Sequence, residues 1–368
     1  MDTTNATGNE FVLAGRPILV GAYSYDLFFE DNDFFLRSKL EIPRLDAASF
    51  SSVMGDIWGI SAAGWHHNGA GPQRVAAGAD ATLSSRGTGP GGMGTARGRG
   101  TLIIDERDGE GTVNADVDGA RRSTDITFDQ STRAAFGGFD LIFTPDTIDG
   151  TLTFGTLLGV IDSRVDFDLT ANRADFDGPT YGLRLSYASD SVRADLILKR
   201  EDLDLEYTVA GLSDVPGRAK ALSSGASLEF GFKVHETPAM TVEPVGNLSH
   251  VPTRIGSFSV GPTAFDFGSG DTSRGAVGLN LRGTSMLAGT GFFPSATLKY
   301  WNVFKGGYTS AINTVAFNYD GTGSYVEASA MLEYIAPDTG WGGFVAGSGF
   351  FGGASSGVRA QVGLNLEW

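Results

Sequence analysis

The final eleven residues alternate without exception. Val358, Ala360, Val362, Leu364, Leu366 and Trp368 are apolar, and Arg359, Gln361, Gly363, Asn365 and Glu367 between them are polar or tiny. A period of two is the pattern of a β-strand with one greasy and one wet face. Chain ends in soluble proteins fray into water. A strand that closes on an aromatic residue instead suits an apolar face in lipid and an end at an interface where a Trp ring is favoured. An ordinary amphipathic edge strand is the competing reading.

The same rhythm recurs upstream. It begins with Leu102 and Ile104, then follows through Ala135–Leu141, Leu152–Val160, Tyr181–Tyr187, Val192–Leu198, Ala226–Phe232, Val242–Leu248, Val277–Leu281, Ala296–Tyr300, Val326–Tyr334 and Phe344–Phe350. With the tail this predicts twelve strands, an even number. The connections alternate in length. Short links at 144–150, 189–191, 236–239, 284–293 and 337–340 separate long polar links at 106–132, 162–180, 200–224, 252–273 and 301–319. Such sorting is expected of an outer-membrane barrel and not of a soluble sandwich. The predicted fold is all-β: a 12-stranded antiparallel transmembrane β-barrel over residues 96–368.

Lipid offers the backbone no partners, so a spanning sheet must close and its wet face must look into a lumen. The residues predicted to face that lumen are Arg184, Arg193, Asp195, Lys199, Glu229, Lys233, Glu243, Arg282, Lys299, Glu327, Glu333, Arg359 and Glu367. Both signs together favour an ion-paired, water-lined wall. Glu327 and Glu333 as a carboxylate pair for acid-base chemistry is the weaker reading. Twelve strands leave a bore wider than the filled eight-strand case. A helix about 10 Å across could thread it.

Upstream, residues 11–40 read as two or three strands broken at Gly15, Pro17 and the turn of Glu30–Asp33. From Pro43 to Trp65 the period changes. Phe50, Val53, Met54, Ile57 and Trp58 form a bulky helical stripe, and Ala47, Ser51, Gly55, Gly59 and Ala63 form an i+4 row of small residues. Two interior glycines cost about 1 kcal/mol each relative to Ala, so this is a poor helix alone in water. Close quarters inside a pore would explain the slim row; a surface helix or a loop is the alternative. Residues 68–95 are glycine-rich and read as a flexible connector. Gly87, Gly89 and Gly92 match GxGxxG, but Pro90 interrupts it and no apolar helix follows to aim amides at a phosphate.

Composition narrows the partners. A net charge of -16 argues against nucleic acid, which needs concentrated Lys and Arg. The absence of cysteine fits a chain that crosses an oxidising compartment unfolded. No apolar run reaches 18 residues, which argues against a transmembrane helix, while a mean hydropathy of -0.04 suits barrel strands. Met1–Glu10 has neither a basic region nor an apolar core, so export would imply that a signal peptide has been removed. The four histidines, His66, His67, His235 and His250, suggest no metal or catalytic set: the adjacent pair cannot share a helical face, and Ser249 points away from His250 on a strand. No enzyme and no cofactor are expected. A porin or adhesin barrel is the alternative function, and a barrel lipase or protease the weaker one.

Gly21–Leu40, reading GAYSYDLFFEDNDFFLRSKL, resembles the end of an autotransporter passenger. Val242–Val251, reading VEPVGNLSHV, is similar to a strand of autotransporter β-domains. Gln361, Gly363, Leu366 and Trp368 resemble the carboxy-terminal insertion signal of outer-membrane barrels. The chain departs from the family pattern at Phe34-Phe35, where a Trp-Tyr pair is common, and lacks the Asn-Asn pair that one subgroup uses for self-cleavage. The resemblance implies a translocator for surface display of its own passenger. Residues 1–42 would be the passenger's end, 43–67 a lumen helix, 68–95 a linker and 96–368 the barrel. The implied partners are outer-membrane lipid, the barrel assembly machinery, periplasmic chaperones and the passenger itself.

Overall fold

The computed structural model describes residues 18–20, 23–30, 33–40, 45–68, 95–117, 120–145, 148–168, 170–210, 215–283, 291–313, 315–336 and 339–368. Strands β1 (Ile18–Val20), β2 (Tyr23–Glu30) and β3 (Asp33–Leu40) form a small antiparallel sheet. A 3-10 turn, Asp46–Ser49, leads into α1 (Phe50–Asn68). The helix predicted from 43 to 67 is thus present, with Ala47 in the 3-10 turn; Pro43, Arg44 and nearly all of the glycine-rich connector lie outside the described residues.

Twelve long strands follow: β4 (Thr95–Val117), β5 (Ala120–Phe143), β6 (Thr151–Phe167), β7 (Arg173–Ala188), β8 (Val192–Thr208), β9 (Gly217–Phe232), β11 (Met240–Ile255), β14 (Ser269–Gly283), β15 (Phe292–Lys305), β18 (Gly323–Ile335), β19 (Trp341–Phe351) and β20 (Ser355–Glu367). Between them sit the two-residue β10 (His235–Glu236) and two short hairpins, β12 (Phe258–Val260) with β13 (Thr263–Asp266), and β16 (Gly307–Ile312) with β17 (Val315–Asp320). Every pairing is antiparallel. The cylinder closes where β20 meets β4, from Ser355↔Gly109 to Glu367↔Arg97, and Ala96 and Trp368 exchange backbone hydrogen bonds of 3.0 and 3.2 Å at the seam. No sheet edge remains to be satisfied along the twelve strands.

Closure sorts the side chains. Leu158 (68 % exposed), Val277 (68 %) and Leu364 (60 %) stand outward, in an apolar belt with Leu102, Leu183, Leu198, Leu248 and Leu298. At one rim, where the strands join through short turns, the belt ends on Tyr334, Trp341 and Trp368; at the opposite, hairpin rim it ends on Tyr181, Phe304 and Phe351. Aromatic rings at both borders of an apolar band are what two lipid–water interfaces favour.

The long polar links are not loops, contrary to the sequence expectation. At 106–132 the strands β4 and β5 continue paired as far as Val117↔Ala120, and β6 to β9 likewise run on past the belt. The alternation persists there but changes phase. Along β8 the inward residues Asp195, Lys199 and Glu201 are polar, and then Leu203, Leu205 and Tyr207, still inward, are apolar and buried. The outward residues change oppositely, from Leu196 and Leu198 to Asp202, Asp204 and Glu206. Above the belt the outside is water, so the ordinary soluble rule returns: Phe128, Val165, Phe167, Ala174 and Phe176 join Leu203–Tyr207 in an apolar core inside the hairpin end.

The belt and the projecting hairpins predict opposite tolerances. Leu158→Arg, in the belt beside Tyr181, should cost about 1–3 kcal/mol in chemical unfolding from lipid vesicles. Arg164→Leu, on an outward position of the same strand's projecting end, should stay within about 0.5 kcal/mol. Equal effects would contradict a lipid-facing belt that stops short of Arg164.

Candidate functional site: the filled lumen

The barrel is occupied by its own chain. α1 spans about 28 Å at 1.5 Å per residue. It starts in the apolar core of the hairpin end and runs toward the turn end. Phe50 has no exposed surface and sits among Tyr207 (ring centroids 4.9 Å), Phe267 (5.5 Å), Phe176 (5.8 Å) and Phe167 (6.1 Å). Val53, Met54, Ile57 and Trp58, the rest of the bulky stripe, are also wholly buried. The slim row serves close approach. A Cβ on Gly55 would meet the Thr272 side chain, and one on Gly59 would meet the Arg274 guanidinium. Of the small residues, Ala47, Ser51, Gly55 and Gly59 are buried and Ala63 is partly so.

Below the aromatic cap the wall is polar and grips the helix through charge. Lys199 Nζ donates to the Trp58 carbonyl oxygen at 3.1 Å and to Ser61 Oγ, and pairs with Glu201 at 2.5 Å. Ser61 Oγ donates to Glu201 at 2.8 Å, and Trp58 Nε1 donates to the Lys199 carbonyl at 3.3 Å. Asp56 pairs with Arg274 at 3.4 Å. Near the helix end, His66 Nδ1 meets Asp195 at 2.9 Å and Nε2 meets Ser227 Oγ at 3.0 Å. The Arg99 guanidinium lies over the Trp65 ring, 4.1 Å from its centroid.

Most of the residues expected to face the lumen lie in these networks. Arg184 pairs with Asp195 at 2.6 Å. Arg193 bridges Glu229 (2.9 Å) and Glu243 (2.8 Å), Lys299 pairs with Glu229 (2.6 Å), and Arg282 lines the same polar cavity beside His66. Arg359 pairs with Asp105 at 2.8 Å and lies 3.8 Å from Glu327, which accepts from Trp301 Nε1 at 2.8 Å. Glu333 is buried, six residues along β18 from Glu327; at strand spacing that separates them by about 20 Å, so they form no carboxylate pair. Two positions differ: Lys233 pairs with Glu236 across a turn at 4.0 Å, and Glu367 is only partly buried at the seam's end, so both belong to the turn rim. In the tail, Gln361 and Gly363 turn inward, where a Cβ on Gly363 would strike the Phe344 ring, while Trp368 stands outward, 65 % exposed.

Alternation alone missed several members. Arg97, Arg99 and Asp140 form a buried cluster with contacts of 2.7 and 2.5 Å, and Arg107 joins Asp105 at 2.7 Å. Their parity would have placed them inside had the first strand been read from Thr95. In the sequence His66 stands out only as the neighbour of His67. Its partners, Asp195 and Ser227, are more than a hundred residues away and become visible only once the wall is closed around the helix. Among the described residues no group of His, Asp or Glu could hold a metal ion.

The helix entry carries one group outside the wall. Asp46 is buried, accepting from Thr170 Oγ1 at 2.6 Å and Asn172 Nδ2 at 3.0 Å; Asn172 also donates to Tyr207 at 3.1 Å. Burial pushes the Asp46 carboxyl up to about 7, against the two hydrogen bonds that pull it down.

A family model for the autotransporter β-domain matches residues 111–346, more than half of the chain. The chain belongs to the autotransporter family. The translocator domain of NalP from Neisseria meningitidis is similar at 14 % identity and TM-score 0.52, over 73 % of this chain and 88 % of that one. The β-domain of the Bordetella autotransporter BrkA is similar at 18 % and 0.56, over 75 % and 100 %. The transport unit of AIDA-I from Escherichia coli is similar at 12 % and 0.52, over 78 % and 92 %. No curated protein matches by sequence. These identities support the fold; the family supports the role, that of an outer-membrane translocator for a passenger.

Asp46 gives this autotransporter a pH-dependent helix entry. Its folded pKa is above its unfolded value, so the protonated form is favoured by folding, and the contribution is full below about pH 4 and lost as pH rises through about 7. Hydrogen exchange of the first helical turn should therefore quicken between pH 5 and 8, after correction for intrinsic rates. Asp46→Asn should flatten that dependence; an unchanged slope in the variant would remove Asp46 from the account.

Proposed function

We propose that α1 is the segment of the translocated chain that stays behind as the plug once the passenger is out. The observation that carries this is the helix itself, with no exposed surface at Phe50, Val53, Met54, Ile57 or Trp58, capped by the hairpins at one end and clamped by Lys199 and Glu201 at mid-bore. In this reading residues 1–42 are the passenger's end, residues 68–95 are a linker, and residues 96–368 are the translocator. The hairpin rim and the passenger lie on the cell surface and the turn rim in the periplasm. The barrel assembly machinery and periplasmic chaperones deliver the chain, and the charged residues expected in the lumen, Lys233 and Glu367 at the rim apart, wet the bore. A simple porin would have no use for a filled lumen.

The plug is testable by conductance. The intact protein in a planar bilayer should be nearly closed, a variant lacking residues 45–68 should show stable open-pore currents several-fold larger, and Lys199→Met should open intermittently because it leaves Glu201 buried without its partner. Equal conductance of the intact and deleted forms would overturn the reading.

We also propose that the domain is not an enzyme, although Asp195, His66 and Ser227 are connected in the order of an acid, a base and a nucleophile. Arg184 holds Asp195, Asn247 Nδ2 donates to Ser227 Oγ at 3.3 Å, and Ser227 is 3 % exposed, which makes the relay an anchor for the helix end. A fluorophosphonate probe should leave the protein unlabelled, and Ser227→Ala should still display its passenger. Labelling that Ser227→Ala abolishes would establish a nucleophile instead.

A further inference from the structure

The outer wall is not uniform where the apolar belt ends at the hairpin rim. On β8, β9, β11 and β14 a groove of about 510 Å³ crosses the strands, its outward lining formed by Arg200, Leu222, Ser224, Pro252, Arg254 and Asp271. Its place is fixed by the register. Arg200 pairs with Ser224 on β9, and Arg254 faces Leu222 on β9 and Ser269 on β14. Directly toward mid-belt lie Leu198, Leu228, Leu248 and Val277, all exposed. In the other direction the outward residues are already paired, Lys220 with Asp204 at 2.6 Å and Arg218 with Glu206 at 3.0 Å. The groove therefore sits at headgroup height, with acyl-chain surface on one side and water on the other.

Two features suit a phosphorylated amphiphile there. The first is the pair of guanidiniums. Arg200 and Arg254 stand two strands and two residues apart, about 12 Å between their Cα atoms at sheet spacings; Arg254 presents the fork that binds phosphate bidentately, and Arg200, whose Nε and Nη2 both donate to Asp202 Oδ1, presents Nη1. Arg200 is held by Asp202 at 3.1 Å, which keeps its side chain along the wall. The second is the treatment of the groove's carboxylate. Asp271 is tied to Lys305 at 2.8 Å, which offsets its charge where an anion would lie. The Ser224 hydroxyl supplies a partner for a sugar hydroxyl between the two cations, and the Ser269 hydroxyl supplies one on the far side of Arg254.

We propose that this groove binds a glycolipid headgroup that carries phosphates at both ends of a disaccharide, its acyl chains lying on Leu198, Leu228, Leu248 and Val277. The two-cation spacing selects such a headgroup over a single-phosphate lipid. The inference rests on the orientation proposed above, with the hairpin rim in the outer leaflet.

The test uses the full chain purified in detergent, with native mass spectrometry and thermophoresis reading the binding of bisphosphorylated lipid A, its monophosphorylated form, phosphatidylglycerol and inorganic phosphate. The wild type should bind the bisphosphorylated lipid at least tenfold more tightly than the monophosphorylated form or phosphatidylglycerol. Arg200→Gln with Arg254→Gln should lose that preference, while Arg164→Gln, two strands away on β6 and outside the groove, should keep it; heat-modified gel migration shows that each variant is folded. Equal binding of all three lipids, or an unchanged preference in the double variant, overturns the proposal. So does competition by inorganic phosphate at the lipid's own concentration, which would mark a soluble-anion site. Orientation is read separately by labelling a cysteine placed at Ala210 on intact cells. Labelled cells without lipid preference reject the groove alone; unlabelled cells reject the orientation.

Discussion

Everything in this molecule follows from backbone amides that have no water to bond to. Along the belt each strand must find partners on both sides, and the only arrangement that satisfies all twelve is a closed cylinder with β20 returning to β4. Closure makes an inside, and with a period of two the inside must be chemically opposite to the outside. A bore lined by Lys199, Glu201, Arg184 and Asp195 cannot collapse on itself as a hydrophobic core would. It must be filled by water or by something with matching polar groups, and α1 supplies Ser61, Asp56 and His66.

The change of phase above the belt divides the labour of holding that helix. At its entry, Phe50 and the rings of Phe167, Phe176, Tyr207 and Phe267 form a true apolar core, where burial of one Phe stabilises by about 1.5–3 kcal/mol. At mid-bore the contacts are charged, and there the desolvation of Lys199 and Glu201 cancels much of their attraction. The cap therefore provides most of the adhesion and the ionic clamp provides the register. A helix one turn out of place would leave Lys199 and Glu201 buried without Ser61 or the Trp58 carbonyl.

That division also explains what the sequence made legible. Period-two alternation over belt-length segments was enough to find twelve strands, because lipid imposes a strict rule on every outward residue from Val358 to Trp368. The helix was legible because Phe50 to Trp58 and Ala47 to Ala63 keep two clean stripes. The projecting strands were not, since their outward Asp204 and Glu206 and inward Leu205 and Tyr207 obey the soluble rule; set against a belt template they read as polar loops. The cross-barrel pairs were also beyond reach. Lys299 on β15 with Glu229 on β9, and His66 with Ser227, depend on which strands meet across a closed cylinder, and alternation says only which way a side chain points.

On the proposed reading, in which the passenger crosses this bore, a wet wall serves better than a greasy one. An apolar wall would hold each passing hydrophobic segment by its buried area, at roughly 25 cal/mol per Å², and a long passenger would stall. A wall of paired charges and uncharged polar groups such as the Gln130 amide and the Thr132 and Ser163 hydroxyls offers an unfolded chain little more than water does. Only a segment whose polar groups coincide with the wall's fixed ones, as Ser61 does with Lys199 and Glu201, gains enough to stop there. The slim row matters for the same reason, since a Cβ at Gly59 would displace Arg274, the partner of Asp56. Selectivity for where the chain stops then lies in the match between α1 and the wall, while the wall remains indifferent to the rest of what it carries.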